Sequence, residues 1–249
     1  MRFIVANLFR ALALVVLLIL IFRTEWLSFM LVPLTNNNAP PVYTQNSLAS
    51  LALGHLELVF VSIIGSAVLA VLGGIFVTRP SGADFLPLSR AIANAGQTFP
   101  PVAVLALAVP ATGFGATPTL IALFLYGLLP IFENTVAGLK QVSPQVLDAA
   151  DGMGMNGTQR LFKVELPLAL PLILEGLKVA TVINIGTATI GSTVAAKGLG
   201  EVIIAGLISD NTAFILQGGL IVGLMAVLIY DVVGLLEGAI TRRMGLRPA

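Results

Sequence analysis

Cysteine is absent from the 249-residue chain, and charged residues make up only 10% of it. Without cysteine, disulfide bonds, thiolate catalysis and cysteine-ligated metal sites are excluded. In soluble domains roughly a quarter of the residues are charged. The shortage of charge and the mean hydropathy of +1.00 therefore exclude a soluble enzyme. The 13 basic and 12 acidic residues nearly cancel, which leaves no overall positive field to attract nucleic acid.

Residues for catalysis and for nucleotide or metal binding are also scarce. The single histidine, His55, has no serine motif as a partner for nucleophilic catalysis, and we expect it at the outer membrane interface. The glycine-rich pieces 113–115 and 152–154 lack the lysine of a phosphate-binding loop. Zinc and calcium motifs are missing as well. We therefore predict that this chain binds no cofactor or metal and does not hydrolyse ATP by itself.

Long apolar stretches dominate the sequence. Each has about 20 residues, the length that crosses a bilayer. They are residues 3–22, 56–77, 88–110, 119–138, 168–191 and 214–236. The fold class predicted is all-α, a polytopic membrane protein with about six transmembrane helices. Residues 1–22 are either a retained span or a signal peptide; Arg23-Thr24-Glu25-Trp26 lacks a small-x-small cleavage pattern, which favours a retained span.

The positive residues divide unevenly between the two sides of the predicted spans. Only Arg23 and Lys197 fall on one side, and Lys178 lies within a span. The other side carries Arg2, Arg10, Arg79, Arg90, Lys140, Arg160, Lys163, Arg242, Arg243 and Arg247. Because Lys and Arg are enriched in cytoplasmic loops, both termini and the loops 79–90 and 139–167 are predicted to be cytoplasmic. The segments predicted to face outward are 23–46, 111–118 and 192–213.

The cytoplasmic loop 139–167 contains a predicted short helix. Ser143-Pro144 is a typical helix start, and Gly152 and Gly154 are suited to ending the helix. A second helical segment is predicted from about Gly157. Exposed methionines adapt well to a partner's groove, and Met153 and Met155 are expected to be exposed. The loop is therefore a candidate docking element, and the alternative is a plain connection between two spans.

The same loop resembles the EAA loop of ABC-importer permeases, written EAA, three residues, G, nine residues, I, one residue, LP. Here Asp148 replaces the usual Glu, Val164 replaces the usual Ile, and every spacing agrees. The resemblance implies a type I ABC importer permease fold whose loop seats in a cleft of a separate ATPase, which binds ATP and Mg. The ATPase-coupling residues that it implies are Asp148, Ala149, Ala150, Gly152, Met153, Gly154, Met155, Leu166 and Pro167.

Other segments are similar to the osmoprotectant branch of these permeases. They are residues 123–131, 164–171, 181–190 and 198–206. The resemblance implies import of glycine betaine, choline, carnitine or a similar quaternary amine, with another small solute such as an amino acid as the alternative. It also implies three partners: an ABC ATPase subunit, an extracytoplasmic solute-binding protein, and a second copy or paralogue of the permease.

The resemblance further places the chain in the bacterial cytoplasmic (inner) membrane. It covers roughly residues 50–240. We therefore expect residues 1–47 to form an N-terminal span with an external loop, and residues 48–249 to form the permease domain.

Polar residues within two spans are candidates for a transport pathway. Asn184, Thr187 and Gly191 recur at helical spacing on one face of the fifth span. Pro100 and Pro101 are predicted to break the third span in mid-membrane. The candidate pathway residues are Gln97, Thr98, Asn184, Thr187, Thr189 and Ser192. Close packing of helices through small and hydroxylated residues is the alternative role.

One charged pair is predicted inside a span. Glu175 and Lys178 are one helical turn apart, so they can form an ion pair that lowers the cost of charge in the membrane. A structural ion pair is favoured over a gate, and Glu133 and Asn134 are alternative partners for Lys178. Two rival classes stay open: an ion-coupled secondary transporter, which needs intramembrane carboxylates, and a non-transporting assembly protein.

Overall fold

The computed structural model describes residues 2–36 and 39–245, which form helices and no β-strand. Asn37 and Asn38 of the predicted outer loop, and Arg247 among the predicted cytoplasmic cations, lie outside the described residues. The α-helices are α1 (Arg2–Phe22), α2 (Ser28–Leu31), α3 (Leu48–Val77), α4 (Leu86–Thr98), α5 (Pro101–Thr112), α6 (Ala116–Lys140), α7 (Pro144–Gly152), α8 (Gly157–Arg160), α9 (Leu166–Thr187), α10 (Gly200–Ile208) and α11 (Thr212–Arg243). A π turn, Leu161–Glu165, links α8 to α9, and a 3₁₀ turn, Ala188–Val194, follows α9.

The described residues contain four helical stretches long and apolar enough to cross a membrane, or up to six if two bent pairs each count as one span. The four are Leu48–Val77, Ala116–Lys140, Gly157–Val194 and Thr212–Arg243. The bent pairs are Asn7–Phe22 with Thr24–Leu34, and Ala83–Thr98 with Pro101–Thr112. The all-α prediction is confirmed, but the predicted spans are shorter than the helices of the structure. Apolar patterning marks only the hydrocarbon-buried length, whereas the 30 residues of α3 extend about 45 Å.

The third predicted span is broken at Pro100 and Pro101, as the sequence predicted. Helix α4 ends at Thr98, and Phe99 and Pro100 are extended, with ψ of 131° and 137°. Proline has no N–H and disfavours a helical conformation in the residue before it, so the helix resumes only at Pro101. The hydroxyl of Tyr126 donates to the Phe99 carbonyl at 2.6 Å, which gives one carbonyl at the break a hydrogen-bond partner.

The chain divides into two compact units, each described by itself. The first unit comprises Met1–Ser62, Pro100–Leu123 and Val182–Tyr230. The second unit comprises Ile63–Phe99, Phe124–Thr181 and Asp231–Ala249.

Buried polar side chains hold the first unit together. His55 is 0% exposed, and its Nε2 donates to the Ile185 carbonyl at 2.8 Å, near the end of α9, where the α-helix passes into the 3₁₀ turn. His55 is therefore enclosed by protein, and its position at the outer membrane interface stays a prediction. Asn184 is also 0% exposed, and its amide donates to Ser62 Oγ at 3.2 Å and to the Leu123 carbonyl at 2.9 Å.

The core of the second unit forms between α3, α6 and α9. Leu139, Ala169 and Ile173 are its buried centre, and partly buried side chains pack on them: Val71, Ile75, Leu161, Leu166 and Leu177. Gly138 lies so close to α9 that a Cβ there would meet the Ala169 carbonyl oxygen at 2.9 Å. Such small-residue contacts let membrane helices approach closely and gain dispersion energy that lipid cannot supply.

Candidate functional site

Helix α7, in the second unit, is the centre of the predicted docking loop. It begins directly after Ser143, whose backbone is extended. The Ser143 carbonyl accepts hydrogen bonds from the amides of Val146 and Leu147 at 3.0 and 3.3 Å. Pro144 occupies the first helical position, where its missing N–H costs no hydrogen bond. The helix therefore starts at the Ser-Pro pair, as predicted.

The end of α7 is a Schellman motif built on Gly154. Gly154 has a φ of +77°, its amide donates to the Asp151 carbonyl at 2.9 Å, and the Met155 amide donates to the Ala150 carbonyl at 3.2 Å. These two bonds satisfy carbonyls that the last helical turn leaves open. A positive φ favours glycine, so the glycine of the EAA-like motif is the residue that stops this helix.

Exposure separates the predicted ATPase-coupling residues into two groups. The exposed ones are Asp148, Ala149, Gly152, Met153 and Gly154. Those buried or half-buried are Ala150, Met155, Leu166 and Pro167. The prediction of an exposed Met155 is wrong, because a Schellman motif commonly turns the residue after its glycine back toward the helix. The exposed side of α7 thus carries mainly small and acidic side chains, together with the apolar Val146, and Met153 directly after the helix is 70% exposed.

A capping box and a π turn connect α7 to α9. Asn156 Oδ1 accepts from the Gln159 amide at 2.9 Å, while Gln159 Oε1 accepts from the Asn156 amide at 3.0 Å. The N-x-x-Q spacing is a known helix-start signal that the sequence reading missed. The amide of Leu166 then donates to the carbonyl of Leu161, five residues back. Pro167 favours this wider turn, because its ring would clash with the carbonyl of an ordinary α-helical turn.

Two arginines and two carboxylates form an ion-pair network beside this turn. Arg160 Nη1 donates to both oxygens of Asp151 at 2.9 and 2.7 Å, and Arg160 Nε donates to Glu165 Oε1 at 3.0 Å. Arg79, just beyond α3, holds the same Glu165 through two nitrogens, one at 3.0 Å from Oε1. These contacts were not predicted, since Arg79 and Glu165 are far apart in the chain.

Lys178 is buried in α9 and contacts two carboxylates. Its Nζ pairs with Glu175, one turn earlier on the same helix, and lies 3.2 Å from Glu237 Oε2 on α11. The predicted alternative partners are engaged elsewhere: Glu133 pairs with Arg90, and Asn134 donates to the carbonyl of Pro130. Lys178 therefore ties α9 to the last turns of α11, a contact that sequence spacing alone does not reveal.

We expect Lys178→Met to destabilise the chain by about 2 kcal/mol, because it leaves half-buried Glu237 without its cation. The more exposed Glu175 contributes less to this cost. Adding Glu237→Gln to Lys178→Met is expected to restore part of the loss. Thermal unfolding of the detergent-solubilised protein measures both effects. Lys140→Met removes an exposed cation from α6 as the control, and equal midpoints for the two lysine variants would contradict this structural role.

In the second unit, Gln97 and Thr98 lie in the last turn of α4. Gln97 Nε2 donates to the Tyr126 carbonyl at 2.9 Å, and that carbonyl has no α-helical donor because the residue four later is Pro130. The exposed Thr98 hydroxyl bonds back to the Ala95 carbonyl of its own helix. Gln97 is thus a packing residue between α4 and α6, whereas Thr98 remains accessible.

In the first unit, the remaining candidate pathway residues follow Asn184 along α9 and the 3₁₀ turn. The hydroxyls of Thr187 and Thr189 bond to carbonyls of their own helix, and both side chains are half-buried. Ser192 lines a cavity of about 550 Å³ together with Glu201, Asn211 and Phe214. Asn184 is fully enclosed, so only the outer three of these residues have accessible side chains.

Tyr43 anchors the segment that precedes α3 in the first unit, beside this cavity. Its hydroxyl donates to Glu201 Oε1 at 2.5 Å, its backbone amide donates to Gln217 Oε1 at 3.1 Å, and its ring meets Phe214 edge-on. Burial, reinforced by the Glu201 carboxylate, raises the pKa of Tyr43 to about 12. The phenol therefore stays a hydrogen-bond donor at physiological pH.

Comparison with known proteins agrees with this architecture. The chain is 40% identical to the osmoprotectant import permease protein OsmY of Salmonella typhimurium over 74% of this chain and 78% of that protein. It is 35% identical to the glycine betaine/carnitine/choline transport system permease protein OpuCB of Bacillus subtilis over 75% of this chain and 85% of that protein.

Solved structures show the same fold. The permease in inward-facing MetNI methionine ABC transporter crystals superimposes with a TM-score of 0.72 at 23% identity, covering 80% of this chain and all of that one. The family model for the binding-protein-dependent transport system inner membrane component matches residues 70–246. The chain therefore belongs to that family and is a multi-pass membrane permease subunit of an ABC importer.

Proposed function

We propose that this permease imports small quaternary-amine osmoprotectants such as glycine betaine, choline or carnitine. The observation that carries the proposal is the similarity of about three quarters of the chain, 74% and 75%, to two permeases named for such solutes. An amino acid or another small solute is the alternative.

The partners in this proposal are an ABC ATPase subunit, an extracytoplasmic solute-binding protein and a second copy or paralogue of the permease. ATP and Mg bind to the ATPase. The exposed side of α7, from Asp148 to Gly154, seats in a cleft of that ATPase, and the Schellman motif gives this surface a fixed end. Closure of two ATPases moves the α7 helices of both permeases and switches the spans between outward and inward access.

The proposed orientation places both termini and the loops 79–90 and 139–167 in the cytoplasm of a bacterial inner membrane. The imbalance of positive residues supports it. We treat residues 48–249 as the permease domain and residues 1–47 as an N-terminal span with an external loop. Thr98, Thr187, Thr189 and Ser192 are the proposed pathway residues, because their side chains are at least partly accessible.

Copurification with ATP hydrolysis tests the proposal. A tagged chain, gently solubilised from native membranes, is expected to bring down an ABC ATPase, while untagged membranes serve as the control. The reconstituted complex with its binding protein is expected to hydrolyse ATP faster with glycine betaine or choline than with amino acids. Stimulation by amino acids alone would reject the osmoprotectant class. A chain that purifies alone, and whose uptake collapses with an uncoupler, would instead be an ion-coupled transporter.

A further inference from the structure

The four residues of the ion-pair network join four helices of the second unit. Asp151 lies on α7, Arg160 ends α8, Glu165 ends the π turn before α9, and Arg79 follows α3. We infer that Arg160 is a positioning residue that carries the movement of α7 to α9 and α3 through Glu165. The inference rests on the proposed docking of α7 to an ATPase, and it assigns the transmitting contacts inside this chain.

The π turn is what allows Arg160 to hold two carboxylates at once. Residues five apart lie on different faces of an α-helix, but a π turn has hydrogen bonds between residues five apart and so brings such residues above one another. Arg160 Nε therefore reaches Glu165 at 3.0 Å while both oxygens of Asp151 stay bonded to Nη1. A lysine has one terminal nitrogen and no planar fork, so it would not hold this arrangement in the same way.

The burial of Glu165 makes the connection stiff. Glu165 is 4% exposed and is bonded by both arginines, so moving either guanidinium away would weaken the pairing of a buried carboxylate. Charge-assisted, bidentate bonds of this kind are stronger than neutral ones and fix direction as well as distance. A displacement of Asp151 by a partner is therefore transmitted to Arg160, Glu165 and Arg79 together.

Arg160→Gln tests the inference in proteoliposomes that contain the permease, its ATPase and its binding protein. The number of radiolabelled glycine betaine molecules imported per ATP hydrolysed is expected to fall about tenfold. Hydrolysis itself is expected to continue, because the exposed side of α7 is unchanged. Lys163→Gln is the matched control: it removes an exposed cation three residues away, and its ratio is expected to equal that of the wild type.

Conservative variants separate transmission from folding. Asp151→Glu keeps both charges and is expected to retain much of the import ratio, and Asp151→Asn is expected to behave like Arg160→Gln. Arg160→Lys keeps the charge but lacks the planar fork, so its ratio is expected to lie between those of Arg160→Gln and the wild type. Loss of ATPase copurification in Arg160→Gln, or equal losses of uptake and hydrolysis, would overturn the inference, because both would indicate defective assembly. An unchanged import ratio would overturn it as well.

A second readout does not depend on the solute. Since the chain has no cysteine, Gln145→Cys on α7 and Leu72→Cys on α3 accept spin labels cleanly. Their distance is expected to stay constant when ATP is trapped on the wild-type complex and to change in Arg160→Gln. A distance that changes equally in both would overturn the relay. Wild-type complexes that bind an ATPase but ignore glycine betaine would contradict only the proposed solute.

Discussion

Replacing Gly154 with valine (Gly154→Val) is expected to lower solute uptake about tenfold while the chain still reaches the membrane. The cause is the backbone, because a φ of +77° costs a β-branched residue about 2 kcal/mol, and the Schellman motif that ends α7 would open. Steric crowding is not involved, since no atom lies within 4 Å of a Cβ built there. Uptake in reconstituted vesicles is the measurement.

Two further glycine variants make this prediction specific. Asparagine tolerates positive φ, so Gly154→Asn is expected to retain much more uptake than Gly154→Val. Gly157→Ala places a methyl group in equally open space, without a positive φ, and is expected to behave like the wild type. Undiminished uptake by Gly154→Val would contradict the assignment of this loop as the ATPase-docking element.

The second large effect is expected at Gly200, where α10 begins. A Cβ there would lie 1.8 Å from the carbonyl oxygen of Thr189, which belongs to the 3₁₀ turn of the first unit. Backbone cannot move aside as a side chain can, so we expect Gly200→Ala to destabilise the protein by about 3 kcal/mol. The thermal unfolding midpoint in detergent measures this loss.

Gly219 on α11 supplies the control for that substitution. A Cβ at Gly219 meets no atom within 4 Å, so Gly219→Ala is expected to leave the midpoint unchanged or to raise it slightly, since alanine favours helix. A midpoint for Gly200→Ala equal to that of Gly219→Ala would mean that the 3₁₀ turn and α10 do not pack as closely as described.

Features with a local cause could be predicted from the sequence. Apolar runs predicted the spans, the Pro100–Pro101 pair predicted the broken helix, and Ser143-Pro144 with Gly154 predicted both ends of α7. Each depends on a few neighbouring residues whose backbone preferences are strong. Even there, apolar patterning underestimated helix length, because helices continue into the polar layers on either side of the hydrocarbon.

Contacts between segments far apart in the chain could not be predicted from the sequence. The pairing of Arg79 with Glu165 and of Lys178 with Glu237 depends on how each helix is rotated and how far it slides along its neighbour. Nearly all positions in a membrane helix are apolar, so hydropathy carries little information about either quantity. For the same reason the enclosure of His55 against α9 could not be predicted.

The π turn at Leu161–Glu165 also makes this part of the chain sensitive to a change in length. Removing one residue from that turn would leave a continuous helix, but every residue before it would rotate by about 100° around the axis of α9. Helix α7 would then present a different side to its surroundings, although none of its own residues had been altered. We therefore expect that the number of residues between α7 and Pro167 cannot change even by one without turning α7.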